Sequence, residues 1–187
     1  MNRRRSIVTG LFGLAGLSSA KDAAADDDRR ESQLLFSYRT FVINFNIQTG
    51  VGDDIGTVEG VLAGTILQNF LFVFTSPTTV VTTSDRALFT DLDGDQIVFK
   101  YAGTGNFIAP LSDPSSPLGN LMSVGGPFQV TYSVLSTSGK YKFLAGRQFP
   151  ARLVATNAVN SSAGVLGSVY GEIYAKDARA IAETLAK

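Results

Sequence analysis

Phe128, Val130, Tyr132 and Val134 alternate with Gln129, Thr131 and Ser133. A period of two held over seven residues predicts a β-strand with one buried face. The same period runs through Arg86 to Phe107, where two strand patterns flank Asp93-Gly94, a strong short-range hairpin signal. A two-residue turn there sets Leu92 opposite Asp95, then Thr90 with Ile97, Leu88 with Phe99 and Arg86 with Tyr101, all on one face. Phe89 with Val98, Ala87 with Lys100 and Asp91 with Gln96 share the other face, which is shorter and more polar. The first set therefore turns inward and takes Arg86 with it; a slip of one residue in the pairing would exchange the faces.

Leu34 to Ile47 reads as one long strand rich in branched and aromatic residues, with a bulge allowed. Gly50 to Gly56 is turn chemistry. Thr57 to Thr75 exceeds an average strand, and Gly60 with Gly64 divides it near Gly64 into two strands or one sharply coiled strand, ended by Ser76-Pro77. Beyond the central hairpin, Gly103, Gly105 and the Pro- and Gly-bearing segment Ala109 to Pro127 predict a long irregular loop, of the kind that serves as a lid or mouth. Ser138-Gly139 turns the alternating strand, and Arg147 to Thr156 and Gly167 to Tyr174 supply two last strands around the polar loop Asn157 to Ala163. Ala178, Ile181, Ala182 and Leu185 stand at helical spacing, so a short amphipathic helix over 176–187 packs on one end. About eight strands thus follow one another as hairpins without helical crossovers, which excludes parallel α/β folds. The fold class is all-β, a small antiparallel closed β-barrel over 34–175 with a short C-terminal helix. A barrel of about eight strands is either filled by side chains or holds one small ligand.

Composition narrows the chemistry. The 187 residues contain no Cys and no His, which removes disulfides, thiol nucleophiles, thiolate and imidazole metal sites, and the usual general base near neutral pH. No basic cluster lies beyond the N-terminus, so the chain carries no electrostatic footprint for nucleic acid. Arg3-Arg4-Arg5, an apolar run from Ile7 to Leu17 and Ser18-Ser19-Ala20 form a tripartite export signal over 1–20, with cleavage after Ala20. The Arg4-Arg5 pair resembles a twin-arginine signal, with the Sec route as the alternative. The apolar run is too short for a membrane span. Cleavage takes Lys plus Arg from 16 to 13 against 16 acids, leaving an exported protein, periplasmic or extracellular, with a net charge near −3. Lys21 to Gln33 is a solvated charged linker.

With no P-loop, dinucleotide fingerprint or nucleophile elbow, candidate site residues come from the pairing. Arg86 and Tyr101, side by side on the inner face at a barrel mouth, would bind a ligand carboxylate and donate a hydrogen bond to a developing oxyanion. The plainer reading is an Arg86 held by Glu59, the one acid between Thr57 and Thr75, or by Asp85. Tyr38, Tyr132 and Phe128 would line a pocket or simply pack the core. Asp91-Leu92-Asp93-Gly94-Asp95 has alternating carboxylates suited to calcium, but it lacks EF-hand spacing and the bidentate Glu, and its Asp-Gly is accounted for as a turn. No metal and no cofactor is assigned.

Asp93-Gly94-Asp95, Tyr101-Ala102-Gly103, the apolar strand Phe128 to Leu135 and then Ser138-Gly139-Lys140-Tyr141-Lys142-Phe143-Leu144-Ala145-Gly146 occur in that order. The succession resembles the allene oxide cyclase and dirigent barrel superfamily, especially its bacterial secreted members, over Leu34 to Tyr174. The resemblance implies a barrel whose characterised members take apolar or phenolic small molecules inside and steer ring closure or radical coupling by shape. No catalytic constellation of the plant enzymes is matched. The expected function is an exported soluble barrel that binds an apolar or amphipathic small molecule in its interior. The alternative is a cofactor-independent cyclase or isomerase that acts by positioning its substrate. Related barrels often assemble, so a homo-oligomer also falls within the expectation.

Overall fold

A computed structural model describes residues 32–46, 48–76, 78–106, 121–160 and 164–187. The expected export signal and most of the expected linker lie outside the described residues. Eight strands follow in order: β1 Gln33–Asn46, β2 Val51–Gly60, β3 Gly64–Phe74, β4 Thr79–Asp91, β5 Gln96–Asn106, β6 Leu121–Thr137, β7 Gln148–Asn160 and β8 Gly164–Ala175. Each pairs antiparallel with the next, and β8 closes on β1. Closure leaves no edge strand with unpaired backbone groups.

Inward parity lines the lumen with rings. Phe36 and Tyr38 enter from β1, Phe99 and Tyr101 from β5, and Phe128 and Tyr132 from β6, all buried. Rings of that size need small residues facing them. A Cβ on Gly171 of β8 would lie 2.2 Å from the Tyr38 ring, so the glycine is what admits the tyrosine. The same device explains why β2 was illegible as a strand at Gly50 to Gly56. Its inward positions there are Gly52, Asp54 and Gly56, which show no apolar alternation, and the Phe70 ring of β3 occupies the space a Gly52 side chain would take.

The central hairpin differs from a two-residue turn. The Asp91 N–H donates to the Asp95 carbonyl at 3.0 Å and the Gly94 N–H to the Asp91 carbonyl at 3.2 Å, with Gly94 at φ +88°. This is a three-residue loop, Leu92-Asp93-Gly94, a turn completed by a left-handed glycine. The extra residue slides β4 by one against β5, so Phe89 pairs with Ile97 and Leu88 with Val98. Phe89 and Ala87 therefore face the core and Leu88 faces out, whereas Ile97, Phe99 and Tyr101 point inward as the alternation predicts. A second irregularity between Ser84 and Ala87 bulges Asp85 and Arg86 outward and pairs Tyr101 with Ser84.

β5 continues to Asn106 and β6 begins at Leu121, so strand replaces both ends of the expected loop; the lid assignment falls on 107–120, outside the described residues. β7 likewise runs to Asn160 through half of the expected polar loop. Helix α1, Ala178–Leu185, buries Ala178 and Ile181 and packs beside β1, as its spacing predicts. Arg147, just before β7, donates to Asp177 at 2.5 Å and ties down the helix start.

Candidate functional site

Two polar clusters are built around buried groups, one at the hairpin end on Asp91 and Tyr141 and one inside the barrel. The first joins the motifs that carry the family resemblance. Asp91 Oδ1 accepts the N–H groups of Asp93 and Asp95, both at 2.9 Å, and its Oδ2 accepts the Tyr141 hydroxyl at 2.9 Å. The Lys140 ammonium sits 2.8 Å from both Asp91 and Asp93. The Lys140 N–H donates to Asp95 at 3.1 Å, and Ser138 Oγ accepts the Gln96 N–H at 2.7 Å. Burial alone would raise the Asp91 pKa, but the Lys140, Tyr141 and backbone hydrogen bonds outweigh it and hold the carboxyl below its ordinary value. The carboxylates considered for calcium thus hold an ammonium, and the cluster fastens the hairpin to the 3-10 helix Gly139–Leu144.

The second cluster lies in the lumen. Asp54 on β2 and Gln68 on β3 are directly paired, and both side chains point inward. Gln68 Nε2 donates to Asp54 Oδ2 at 3.0 Å. The Tyr132 hydroxyl donates to Gln68 Oε1 at 3.4 Å and lies 2.8 Å from the Tyr38 hydroxyl. With the Tyr132 proton directed to Gln68, Tyr38 is the donor to Tyr132. The Tyr132 ring meets Tyr38 and Phe99 edge-on, at centroid distances of 6.4 and 5.7 Å, and the Tyr101 ring at 4.9 Å. Burial pushes the pKa of all three phenols well above the ordinary range, and the nearby Asp54 adds to the rise.

Asp54 has no exposed surface, and its Oδ1 has no hydrogen-bond partner. Desolvation raises its pKa from 3.8 to about 7, against the hydrogen bond from Gln68 and the nearby Thr40 hydroxyl; the neighbouring Asp53 adds a small rise. Thr82 Oγ1, beside the Tyr101 hydroxyl but outside hydrogen-bonding geometry, also lacks a partner. No Lys or Arg is buried among the described residues. The interior therefore offers a lone acid, an amide and three neutral phenols. Such a set can accept hydrogen bonds, balance a cation, or exchange a proton near neutral pH.

Of the residues singled out in the sequence, Tyr38, Tyr101, Tyr132 and Phe128 are buried in the lumen, and the three tyrosines meet there. Arg86 and Glu59 do not join them. Arg86 is exposed on the outer wall, because the bulge and the longer hairpin loop both act on its strand, and Glu59 is exposed opposite Ser37. The pairing of Arg86 with Tyr101 is thereby overturned, and so is an ion pair between Arg86 and Glu59. Sequence reasoning missed Asp54 and Gln68. The signal for both was parity: Gln68 lies two residues from Ile66 and Phe70, and Asp54 lies four residues before Val58, all buried. Comparison with protein-family models, curated proteins and solved structures finds no match.

Proposed function

We propose that the chain is an exported barrel that binds an apolar or amphipathic small molecule in its interior, with a hydrogen-bond-donating group of that molecule seated on Asp54. The observation that carries this reading is the partnerless Oδ1 of a fully buried carboxyl group, set among aromatic rings without a balancing cation. An orphaned buried acceptor costs about 1–3 kcal/mol, which a donor on a ligand would recover. The anchor thus favours an alcohol, phenol or amine over the carboxylate that an inward Arg86 would have selected. A row of rings, Phe45, Phe70, Phe72 and Phe128, with successive centroids 5.8, 4.9 and 5.9 Å apart, supplies apolar surface. Native mass spectrometry of the protein purified from its own cells tests the reading. The expected result is a small-molecule adduct on the wild type that is absent from the Asp54→Asn variant. A bare wild-type mass under conditions that preserve a noncovalent adduct refutes it.

The second reading, a cofactor-independent cyclase or isomerase, draws on the Asp54 pKa of about 7, which would let that carboxyl give or take a proton at neutral pH. Incubating the released adduct with fresh protein separates the two, since a binder returns the molecule unchanged and an enzyme converts it.

A further inference from the structure

Among the described residues, the exposed large apolar side chains of the outer wall are densest across β1 to β4. Phe41 pairs with Ile55, Ile55 with Leu67 and Leu67 with Leu88, a row of outward side chains across β1 to β4. Phe41 and Ile43 are 60 % exposed, Ile55 46 % and Leu67 45 %. Single exposed residues of this kind are ordinary, but neighbouring exposed apolar residues that form a contiguous patch are often functional. On β5 to β8 the described outward positions include Lys100, Gln129, Arg152 and Glu172, with Leu135 and Tyr170 as exposed apolar side chains among them. A patch concentrated on one flank suits a partner laid against that flank rather than lipid surrounding the barrel.

The adjacent row of outward positions is charged at its two sides. Asp53 on β2 pairs with Asn69 on β3, and Asn69 Oδ1 accepts the Arg86 N–H of β4 at 3.1 Å. With Ile43, Leu67 and Leu88 these residues line an open depression of about 490 Å3. The Arg86 guanidinium has no ion-pair partner among the described residues. Asp53 and Arg86 therefore flank β3 as opposite charges that do not neutralise each other within the chain.

We propose that this face docks a second copy of the chain about a two-fold axis that runs along β3 in the plane between the two sheets. That axis exchanges the strands on either side of β3, so β2 of each copy lies over β4 of the other. Asp53 then meets the second copy's Arg86 twice over, Ile55 meets Leu88, and Leu67 meets its own counterpart. The result is an apolar centre with an ion pair on either side, the arrangement of a self-complementary interface. The charge placement selects the second copy as occupant, since a purely apolar partner would strand both Asp53 and Arg86.

Sedimentation velocity of the full chain over a concentration series tests the proposal, with circular dichroism as the check on folding. Wild type is expected to reach twice the 19.8 kDa chain mass. Leu67→Glu and Arg86→Asp should each weaken association by roughly tenfold or more, about 1.4 kcal/mol. Asp53→Arg combined with Arg86→Asp should restore it, because the swap re-creates both ion pairs with the charges exchanged. A monomer at every concentration, a stoichiometry other than two, or a folded double variant that stays monomeric overturns the proposal. So does a monomeric wild type that floats with phosphatidylcholine vesicles, which would make the face a membrane contact.

Discussion

Replacing Asp54 by Asn should change how stability depends on pH more than it changes stability at any one pH. The Asp54 pKa rises from 3.8 to about 7 on folding, because the barrel removes the carboxyl from water and supplies no cation. Below the unfolded value both states hold the proton, and the site costs nothing through ionisation. Between the two values the unfolded chain releases its proton while the folded chain keeps it, so stability falls as pH rises. Above the folded value the loss is complete, on the order of 4 kcal/mol, at about 1.4 kcal/mol for each tenfold change in proton concentration. Asn keeps the shape and the acceptor for Gln68 but cannot ionise. Its amide replaces the orphaned oxygen with an orphaned donor, a cost of about 1–3 kcal/mol that is the same at every pH. Urea unfolding of both proteins from pH 3.5 to pH 8.5, a window set by the folded and unfolded values, gives the difference between them, in which every other titrating group cancels. That difference should move in favour of the variant by roughly 4 kcal/mol across the series, with most of the change between pH 4 and pH 7. A difference that stays flat to within about 1 kcal/mol would refute the reasoning, because Asp54 would then titrate alike folded and unfolded.

The hairpin register makes neighbouring residues unequal: Phe89→Ala should cost about 3–5 kcal/mol in chemical denaturation, whereas the outward Leu88→Ala should cost under ~1 kcal/mol. Equal losses would contradict the three-residue loop. Gly171→Ala drives a methyl to 2.2 Å from the Tyr38 ring, so the ring must move. A loss of about 1–3 kcal/mol is expected, along with loss of the 2.8 Å link between Tyr38 and Tyr132, read in the near-ultraviolet circular dichroism of the buried tyrosines.

How much of the molecule could be read from its sequence depended on whether neighbours along the chain decided the outcome. Alternation at Phe128 to Val134 identified the inward face of β6, and helical spacing identified Ile181 as a buried anchor of α1, because each depends only on the repeat of its own element. A succession of hairpins without crossovers similarly implied a closed antiparallel barrel. Asp93-Gly94 located the turn but not its length, and one residue in the loop reversed the faces of β4 and moved Arg86 from the lumen to the outer wall.

What tertiary structure alone decided was the interior. β2 shows no strand pattern at Gly52 to Gly56, since its inward positions there are two glycines and an acid, and the Phe70 ring of β3 fills the space over Gly52. Asp54 looks like a turn residue in sequence and becomes a buried acid only when β3, β5 and β6 bring Gln68, Tyr101 and Tyr132 around it. Local patterns record which face of a strand is buried. They do not record what stands across the lumen, and desolvation by those distant groups is what makes the chemistry of Asp54.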